Sequence, residues 1–281
     1  MKRDIVFIDN DPYSPVNHMY RVKEILYTGS SEYQEVKVVV LDGYGKALIL
    51  DDVVQFTEKE EFIYHETLAH VPLFSHPDPK NVLIIGGGDG GVAREVLKHN
   101  CVKRLFLVDI DKMVTDVTKE FFPQFRDVFN DRRLTVLHQD GMKFVKEYKE
   151  KFDVVLIDLT DPVGPAKPLF EEPFYRDVYN ILSEKGIISC QNESIWYHKN
   201  IVKDVQNALL KVFPIVDIIT FITPIYTGYW WALSYASKSI NPREYFRKCD
   251  VETRYYADDV RPYSFLPQSI IQKIRTGSLD Y

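Results

Sequence analysis

Acids placed at the ends of apolar runs carry most of the chemistry this sequence offers. Asp89 lies inside Gly86-Gly87-Gly88-Asp89-Gly90-Gly91, and Asp158 and Asp161 follow the run Val154-Val155-Leu156-Ile157. A carboxylate within a glycine loop repels a pyrophosphate, so Asp89 suits a ligand that offers a cation where a dinucleotide offers phosphates. Carboxylates crowded together raise one another's pKa, which makes one a better base while the rest hold a polycation. Each position also has a structural alternative. The glycines pack a tight turn, and Asp161-Pro162 and Gly164-Pro165 mark turns in their own right.

The elements that must position these acids follow from patterning. Val82-Leu83-Ile84-Ile85 reads as a strand buried on both faces, and Val92 to Lys98 opens a helix, so Gly86 and Gly88 let the backbone approach a ligand at the helix's electropositive end. A second strand, Arg104 to Val108, ends in Asp109-Ile110-Asp111. An acid about 20 residues beyond the loop is where nucleotide-binding sheets hold the ribose hydroxyls, and we assign that contact to Asp109, with helix capping as the alternative, above all for Asp111. A third strand, Leu134 to Leu137, leads to Asp140 and Gly141, where the acid either accepts from an exocyclic base amine or caps the next helix. The fourth strand, Asp153 to Ile157, ends in Asp158. Ligands of open α/β sheets bind at the carboxyl ends of strands, so Asp89, Asp158 and Asp161 should face one crevice. The Pro- and Gly-rich segment after Asp158 is long enough for a lid, with Gly164 as its hinge. A helix from Glu171 to Leu182, a strand at Ile187 to Gln191, a helix from Tyr197 to Phe213 and strands at Ile215 to Ile222 and Trp230 to Ala236 complete a mostly parallel sheet. Among Tyr226, Tyr229, Trp230 and Trp231, most are expected in the core, with one or two shaping a slot for a methylene chain or holding a cation on a ring face.

Upstream, strands are expected at Tyr20 to Tyr27, Glu35 to Leu41 and Lys46 to Leu50, the last two joined by a turn at Asp42-Gly43-Tyr44-Gly45. Thr57 stands three residues before Glu60, a capping-box spacing, so a helix is expected from Glu58 to Leu73, disrupted at Pro72. The stiff connector His76-Pro77-Asp78-Pro79-Lys80 places the domain boundary. The expected units are a β-stranded domain over 1–57, a helix and connector over 58–79, and a Rossmann-like domain over 80–281. His65 and His70 are five apart, whereas a metalloprotease helix needs a spacing of four, so no zinc site is expected.

With 281 residues, 45% of them hydrophobic, the chain can bury a core large enough for an enzyme. A net charge of −6 without a Lys/Arg cluster argues against nucleic acid as partner. Cys101, Cys190 and Cys249 are too few and too scattered for a disulfide framework. Met1-Lys2-Arg3-Asp4-Ile5 lacks an apolar signal core and no run is long enough to span a membrane, so a cytoplasmic protein is expected.

Taken jointly, Gly86-Gly87-Gly88-Asp89-Gly90-Gly91, Tyr64-His65-Glu66, Asp158 through Ala166, Gln34 after Ser31-Glu32-Tyr33, and Gln55 after Asp51-Asp52-Val53-Val54 give the chain, over nearly its full length, a close resemblance to the polyamine aminopropyltransferases, the spermidine synthase family. The resemblance implies an α/β fold, with a methyltransferase-like Rossmann domain behind a small N-terminal antiparallel β domain, assembled as homodimers or homotetramers. It implies decarboxylated S-adenosylmethionine as cosubstrate, with no cofactor and no metal, and a small-molecule amine as partner. Gln34, Asp109, Asp140, Gly141 and Pro165 fall on the nucleoside side, with Gly86 and Gly88 in the loop beneath. Tyr64, His65 and Asp89 fall near the transferred chain and the acceptor amine, Asp158 as proton acceptor and Asp161 as a second amine contact. Gln55, Tyr226 and Trp231 complete the amine side.

The chemistry of the residues agrees with the resemblance. A sulfonium makes its neighbouring methylene electrophilic and leaves as a neutral thioether, so the reaction needs a deprotonated amine held in line, which a carboxylate at Asp158 supplies. Asp89 attracts the bare ammonium of a decarboxylated donor and disfavours the carboxylate of the intact methyl donor. Three departures from the family pattern stand out: Asp109 where Glu is common, Asp51-Asp52 where Asp-Gly is usual, and Pro224-Ile225-Tyr226-Thr227-Gly228 as a loose echo of Pro-Thr-Tyr-Pro-Ser-Gly. The rival readings are an S-adenosylmethionine-dependent amine N-methyltransferase, a non-catalytic polyamine-binding protein, and an NAD-dependent dehydrogenase, the last weakened by the acid inside the loop.

Overall fold

The computed structural model describes residues 5–11, 13–162 and 164–279, apart from the side chains of 164 and 165. Residues 1–4, which carry most of the reading of the N-terminus, lie outside this set. The chain opens as an antiparallel meander of five strands in sequential order: β1 (Ile5–Asp9), β2 (His18–Ser30), β3 (Glu35–Leu41), β4 (Gly45–Leu50) and β5 (Val53–Thr57). The three strands read from sequence are β2, β3 and β4. β1 and β5 escaped notice because β1 exposes Ile5, Val6 and Ile8, and because β5 is separated from β4 only by Asp51 and Asp52. Both aspartates have positive φ, at 47° and 63°, the left-handed region that favours glycine and that Asp tolerates better than most residues. Asp51 Oδ1 accepts from the Glu35 N–H at 2.9 Å and Asp52 pairs with Lys37 at 2.6 Å, so both side chains help to hold the turn.

Helix α1 (Glu61–Ser75) joins this sheet to the next. It begins later than the capping-box spacing predicts. Glu60, not Thr57, occupies the N-cap, and its carboxylate accepts from Thr57 N–H and hydroxyl at 3.0 Å each and from the Thr223 hydroxyl at 2.9 Å. The helix also runs through Pro72. The buried Val71, Leu73 and Phe74 anchor that turn, and the Arg261 guanidinium donates to the Val71 carbonyl at 3.0 Å, so tertiary contacts outweigh the lost backbone bond.

The second sheet has seven strands. In chain order the elements are β6 (Asn81–Gly86), α2 (Gly91–Leu97), β7 (Arg104–Asp109), α3 (Lys112–Phe121), α4 (Pro123–Arg126), β8 (Leu134–His138), α5 (Gly141–Glu147), β9 (Phe152–Asp158), α6 (Glu172–Ile181), β10 (Leu182–Ser194), α7 (Lys199–Leu210), β11 (Ile215–Ile222), β12 (Trp230–Ser237) and α8 (Gln268–Thr276). The spatial order is β8-β7-β6-β9-β10-β12-β11, with β12 antiparallel to both of its neighbours and the remaining pairings parallel. That is the methyltransferase-like form of the Rossmann fold expected from the resemblance. Val82 to Ile85 are at most 1% exposed, as a strand with helices on both faces requires.

The strand order reverses between β6 and β9, where Gly86 is paired with Asp158. The carboxyl-end crevice of an open sheet lies at this switch, so topology alone brings the glycine loop beside Asp158. The segment beyond Ser237 had no counterpart in the elements expected from patterning. It packs back on α1, where Glu66 accepts the backbone N–H groups of Arg254, Tyr255 and Tyr256 at 2.7 to 2.8 Å.

Candidate active site

A partly open cleft lies at the switch, lined by residues of both sheets and of α1. The structure brings Tyr64, His65, Asp89, Asp158 and Asp161 onto its wall, and Gln55, Tyr226 and Trp231 with them. Of the residues expected on the nucleoside side, Asp109 ends β7, Asp140 and Gly141 follow β8, and Gln34 lies in the turn between β2 and β3. Asp109 Oδ2 accepts from Gly88 N–H at 2.9 Å and its Oδ1 from Asp111 N–H at 2.8 Å. Gln34 Nε2 donates to Asp111 at 2.9 Å, and Asp111 also caps α3 by accepting from Met113 N–H. Asp140 caps α5 through Met142 N–H at 2.7 Å, and Gly141 is close-packed under Ile85. The Pro165 side chain lies outside the described residues, as does Val163 in the segment read as a lid. The chain resumes there with a 3₁₀ turn, Gly164–Phe170.

The glycine loop serves close approach. A Cβ on Gly86 would sit 1.9 Å from the Asp158 carbonyl, and one on Gly91 would sit 2.1 Å from the His65 ring. Both are impossible contacts, so these glycines allow the loop to lie against Asp158 and His65.

Asp158 is the most distinctive group. The Tyr64 hydroxyl donates to its Oδ1 at 2.5 Å, and Oδ2 is buried with no partner. Burial, then the nearby Asp89 charge, pushes its carboxyl up to about 7, with His65 and the Tyr64 bond pulling the other way. A carboxylate with one oxygen fixed and the other free, titrating near neutrality, is suited to take a proton. His65 is opposed by burial, yet its bond to Glu61 and the charge of Asp89 raise it to about 9, so it is an imidazolium at neutral pH. Its Nδ1 lies 2.6 Å from Glu61 and its Nε2 lies 3.7 Å from Asp89. Tyr226 donates its hydroxyl to the Gln55 carbonyl at 2.7 Å and packs 4.7 Å from the Trp231 ring centre, which lines the cleft between its two acidic ends with aromatic surface.

The far end holds residues that sequence reasoning missed. Asp9 and Asp11, from β1 and the segment after it, line the cleft with Asp161 and Gln191. Behind them His198 lies 3.0 Å from Asp11 and 2.9 Å from Glu193. Burial raises Asp9 to about 7, and burial followed by Glu193 and Asp11 raises Asp161 well above the carboxylate range. Asp9 Oδ1 and Gln191 Oε1 have no partner. The polar stretch Gln191-Asn192-Glu193-Ser194 at a strand's carboxyl end was a signal available for part of this cluster. Nothing in the residues around Asp9 marked them. His70 bonds to Glu95 and His99 in the protein interior, so it shares no ligand set with His65, and among the described residues no group of three or more His, Cys, Asp or Glu could hold a metal ion.

A Rossmann-type sheet with an acid-lined cleft at its switch, a buried carboxyl raised to about 7 and aromatic walls points to an enzyme acting on small cationic molecules. Comparison with known proteins gives the family. Residues 61–247 match the spermine/spermidine synthase domain, and residues 5–58 match the spermidine synthase tetramerisation domain. The chain is 52% identical over 279 residues to a polyamine aminopropyltransferase of Hydrogenobaculum sp., and 53% identical to polyamine aminopropyltransferase 1 of Aquifex aeolicus, covering 99% of this chain and 100% of the relative in each case. A crystal structure of spermidine synthase with the transition-state analogue AdoDATO superposes with a TM-score of 0.94 at 34% identity, covering 98% of this chain and 96% of that one. Spermidine synthase from Thermotoga maritima gives 0.92 at 34% identity, covering 98% and 95%. The chain belongs to the spermine/spermidine synthase family.

Proposed function

We propose that this chain, an aminopropyltransferase by family, moves the aminopropyl group of decarboxylated S-adenosylmethionine onto one amine of putrescine, giving spermidine and 5′-methylthioadenosine. The observation that carries the residue assignment is Asp158, which lines the cleft with Asp89 and has its buried Oδ2 unpartnered while Tyr64 fixes Oδ1. An attacking amine must lose a proton as its nitrogen bonds to the methylene next to sulfur. Asp158 accepts that proton, the carbon–sulfur bond breaks, and the electron pair leaves with a neutral thioether. Asp89 holds the donor's terminal ammonium, with Tyr64 and His65 beside it, and Asp161 holds the acceptor's other ammonium. Gln55, Tyr226 and Trp231 border the methylene chain. Gln34, Asp109, Asp140, Gly141 and Pro165 take the nucleoside, over Gly86 and Gly88.

Residues 80–281 form the catalytic unit in this reading, 58–79 the helix and connector that carry Tyr64 and His65, and 1–57 a unit for assembly as a homodimer or homotetramer, supported by the tetramerisation-domain match. A cytoplasmic setting is supported by three free thiols, Cys101, Cys190 and Cys249, and no helix among the described residues is long and apolar enough to cross a membrane.

The test is direct. Purified protein is incubated with decarboxylated or intact S-adenosylmethionine and a panel of putrescine, cadaverine, agmatine and spermidine, and the products are weighed by mass spectrometry. Methylthioadenosine and an amine heavier by one aminopropyl unit are expected, with putrescine turned over fastest. Methyl transfer from the intact donor, or no turnover of any amine, would overturn the reading.

A further inference from the structure

A line of alternating charge runs from the protein interior to the glycine loop, and two of its members, Arg94 and Glu61, touch none of the reacting atoms. Arg94, on α2, donates through both terminal nitrogens to Glu61, at 2.9 and 2.8 Å. Glu61 Oε2 then lies 2.6 Å from His65 Nδ1. His65 Nε2 lies 3.7 Å from Asp89 Oδ1, which also accepts from Gly91 N–H at 2.6 Å. The Glu61 and His65 side chains are 3% and 2% exposed, so these charges interact across little water. Arg94 is held in turn by Glu95 at 2.7 Å and by the Phe125 ring, 4.9 Å away. The ring of His65 is packed between Phe56, Phe125 and the space that Gly91 leaves open.

Among the described residues that line the cleft, His65 is the one side chain able to carry positive charge, and it stands among Asp89, Asp158, Asp161, Asp9 and Asp11. We propose that Glu61 and Arg94 are positioning residues for the transfer: Arg94 fixes the Glu61 carboxylate, Glu61 holds His65 as an imidazolium turned toward Asp89, and that fixed positive charge keeps Asp158 ionised for its work as base. The inference rests on Asp158 being the proton acceptor. A bidentate arginine–carboxylate pair has a defined geometry, which fixes which oxygen of Glu61 meets His65. An imidazole in this position with no acid behind it would lose its proton to burial, and Asp158 would then face Asp89 without compensation.

The charged groups that bear on His65 are Glu61 and Glu60 from its own end of the chain, Asp89 from the glycine loop, Arg94 from α2 and Asp158 from β9. Arg94 opposes the charge on His65, and the carboxylates favour it. Replacing Glu61 by Gln removes the carboxylate in direct contact, which frees His65 to become neutral near pH 7 and pushes Asp158 upward.

Two measurements on the full-length protein test this. The first is the pH dependence of methylthioadenosine formation from decarboxylated S-adenosylmethionine and putrescine. In Glu61→Gln the acid limb of kcat/KM for putrescine should move up by about one pH unit, the size of shift expected when an opposite charge close to a carboxylate is lost. Glu61→Asp should restore part of that shift, and Arg94→Lys should fall between wild type and Glu61→Gln. The second is the titration of His65 by nuclear magnetic resonance in histidine-labelled protein, assigned with His65→Asn. Wild-type His65 should remain an imidazolium through neutrality and titrate near pH 9. In Glu61→Gln it should titrate below about pH 7. A uniform fall in kcat with an unmoved limb and unmoved titration would reduce Glu61 to a packing role and overturn the proposal. If Glu61→Gln does not fold, the wild-type titration still decides, because a neutral His65 at pH 7 overturns it. A wild-type enzyme that makes no methylthioadenosine would defeat the assignment of Asp158 instead, and the titration would still decide the charge state of His65 independently.

Discussion

The two ends of the cleft use the same device to different effect. At the near end His65 sits between Glu61 and Asp89, and at the far end His198 sits between Glu193 and Asp11, each imidazole buried and each raised, against the effect of burial, by its two acids. The difference lies behind the histidine. Arg94 adds a second positive charge at the near end, so Glu61, Asp89 and Asp158 are set against two cations. The far end sets Asp9, Asp11, Asp161 and Glu193 against His198 alone, and three of the four, Asp9, Asp161 and Glu193, are pushed upward by burial. A nearly balanced site can keep one carboxylate ready as a base. An unbalanced one holds protons until a cation replaces them, which in the proposed reaction suits it to binding an amine rather than to accepting its proton.

Breaking the near end should cost most. Asp158→Asn, which keeps the Tyr64 contact but cannot take a proton, should lower kcat by about a thousandfold, within the usual range for loss of a general base, measured by methylthioadenosine release. Asp89→Asn should lower kcat/KM for the decarboxylated donor by about a hundredfold and narrow the preference over the intact methyl donor, read by competition between the two. At the far end Asp161→Asn should raise the putrescine KM about tenfold with kcat little changed, since it removes binding that is equal in ground and transition states. Equal effects of Asp89→Asn and Asp161→Asn on kcat would erase the distinction between the ends. Gly91→Ala, which drives a methyl group into the His65 ring, should cost roughly 1–3 kcal/mol, seen as a lower Tm.

The smallest expected effect sharpens the comparison through pH. His65 and His198 have folded pKa values of about 9 and about 10, above the ordinary 6.5. The folded state therefore binds more protons between these limits, so their contribution to stability is complete below about pH 6.5 and is lost as pH rises through 9 and then 10. Thermal melts of His198→Asn should lose the decline between pH 9 and 10 and show a shallower one between 6.5 and 9, where His65 alone remains.

Much of the near end was legible because its residues sit in local patterns. Asp89 is enclosed by glycines, Asp158 ends an apolar strand, and Tyr64-His65 lies on a helix whose approximate span follows from its apolar positions. The order of seven strands was not written in any local pattern, but the alternation of strands and helices was. The far end was largely invisible because its acids come from three distant places, Asp9 and Asp11 on the N-terminal strand segment, Asp161 after β9 and Glu193 at the end of β10, and only tertiary packing brings them together. The start of α1 was misplaced for a related reason. The sequence spacing of Thr57 and Glu60 is that of a capping box, yet Thr223, far along the chain, also claims the Glu60 carboxylate. Arg94 read as an ordinary helix residue, since its partner Glu61 is 33 positions away.

Glu66 carries a consequence for how the enzyme comes into being. It is the next residue after His65, and its three backbone partners lie 188 to 190 positions downstream. During synthesis the helix bearing Tyr64 and His65 emerges early, but the backbone partners of Glu66 follow only when the stretch around Tyr255 has left the ribosome. A nascent chain halted before that point would already contain every acid of the cleft while lacking the clasp that fixes the orientation of its first helix.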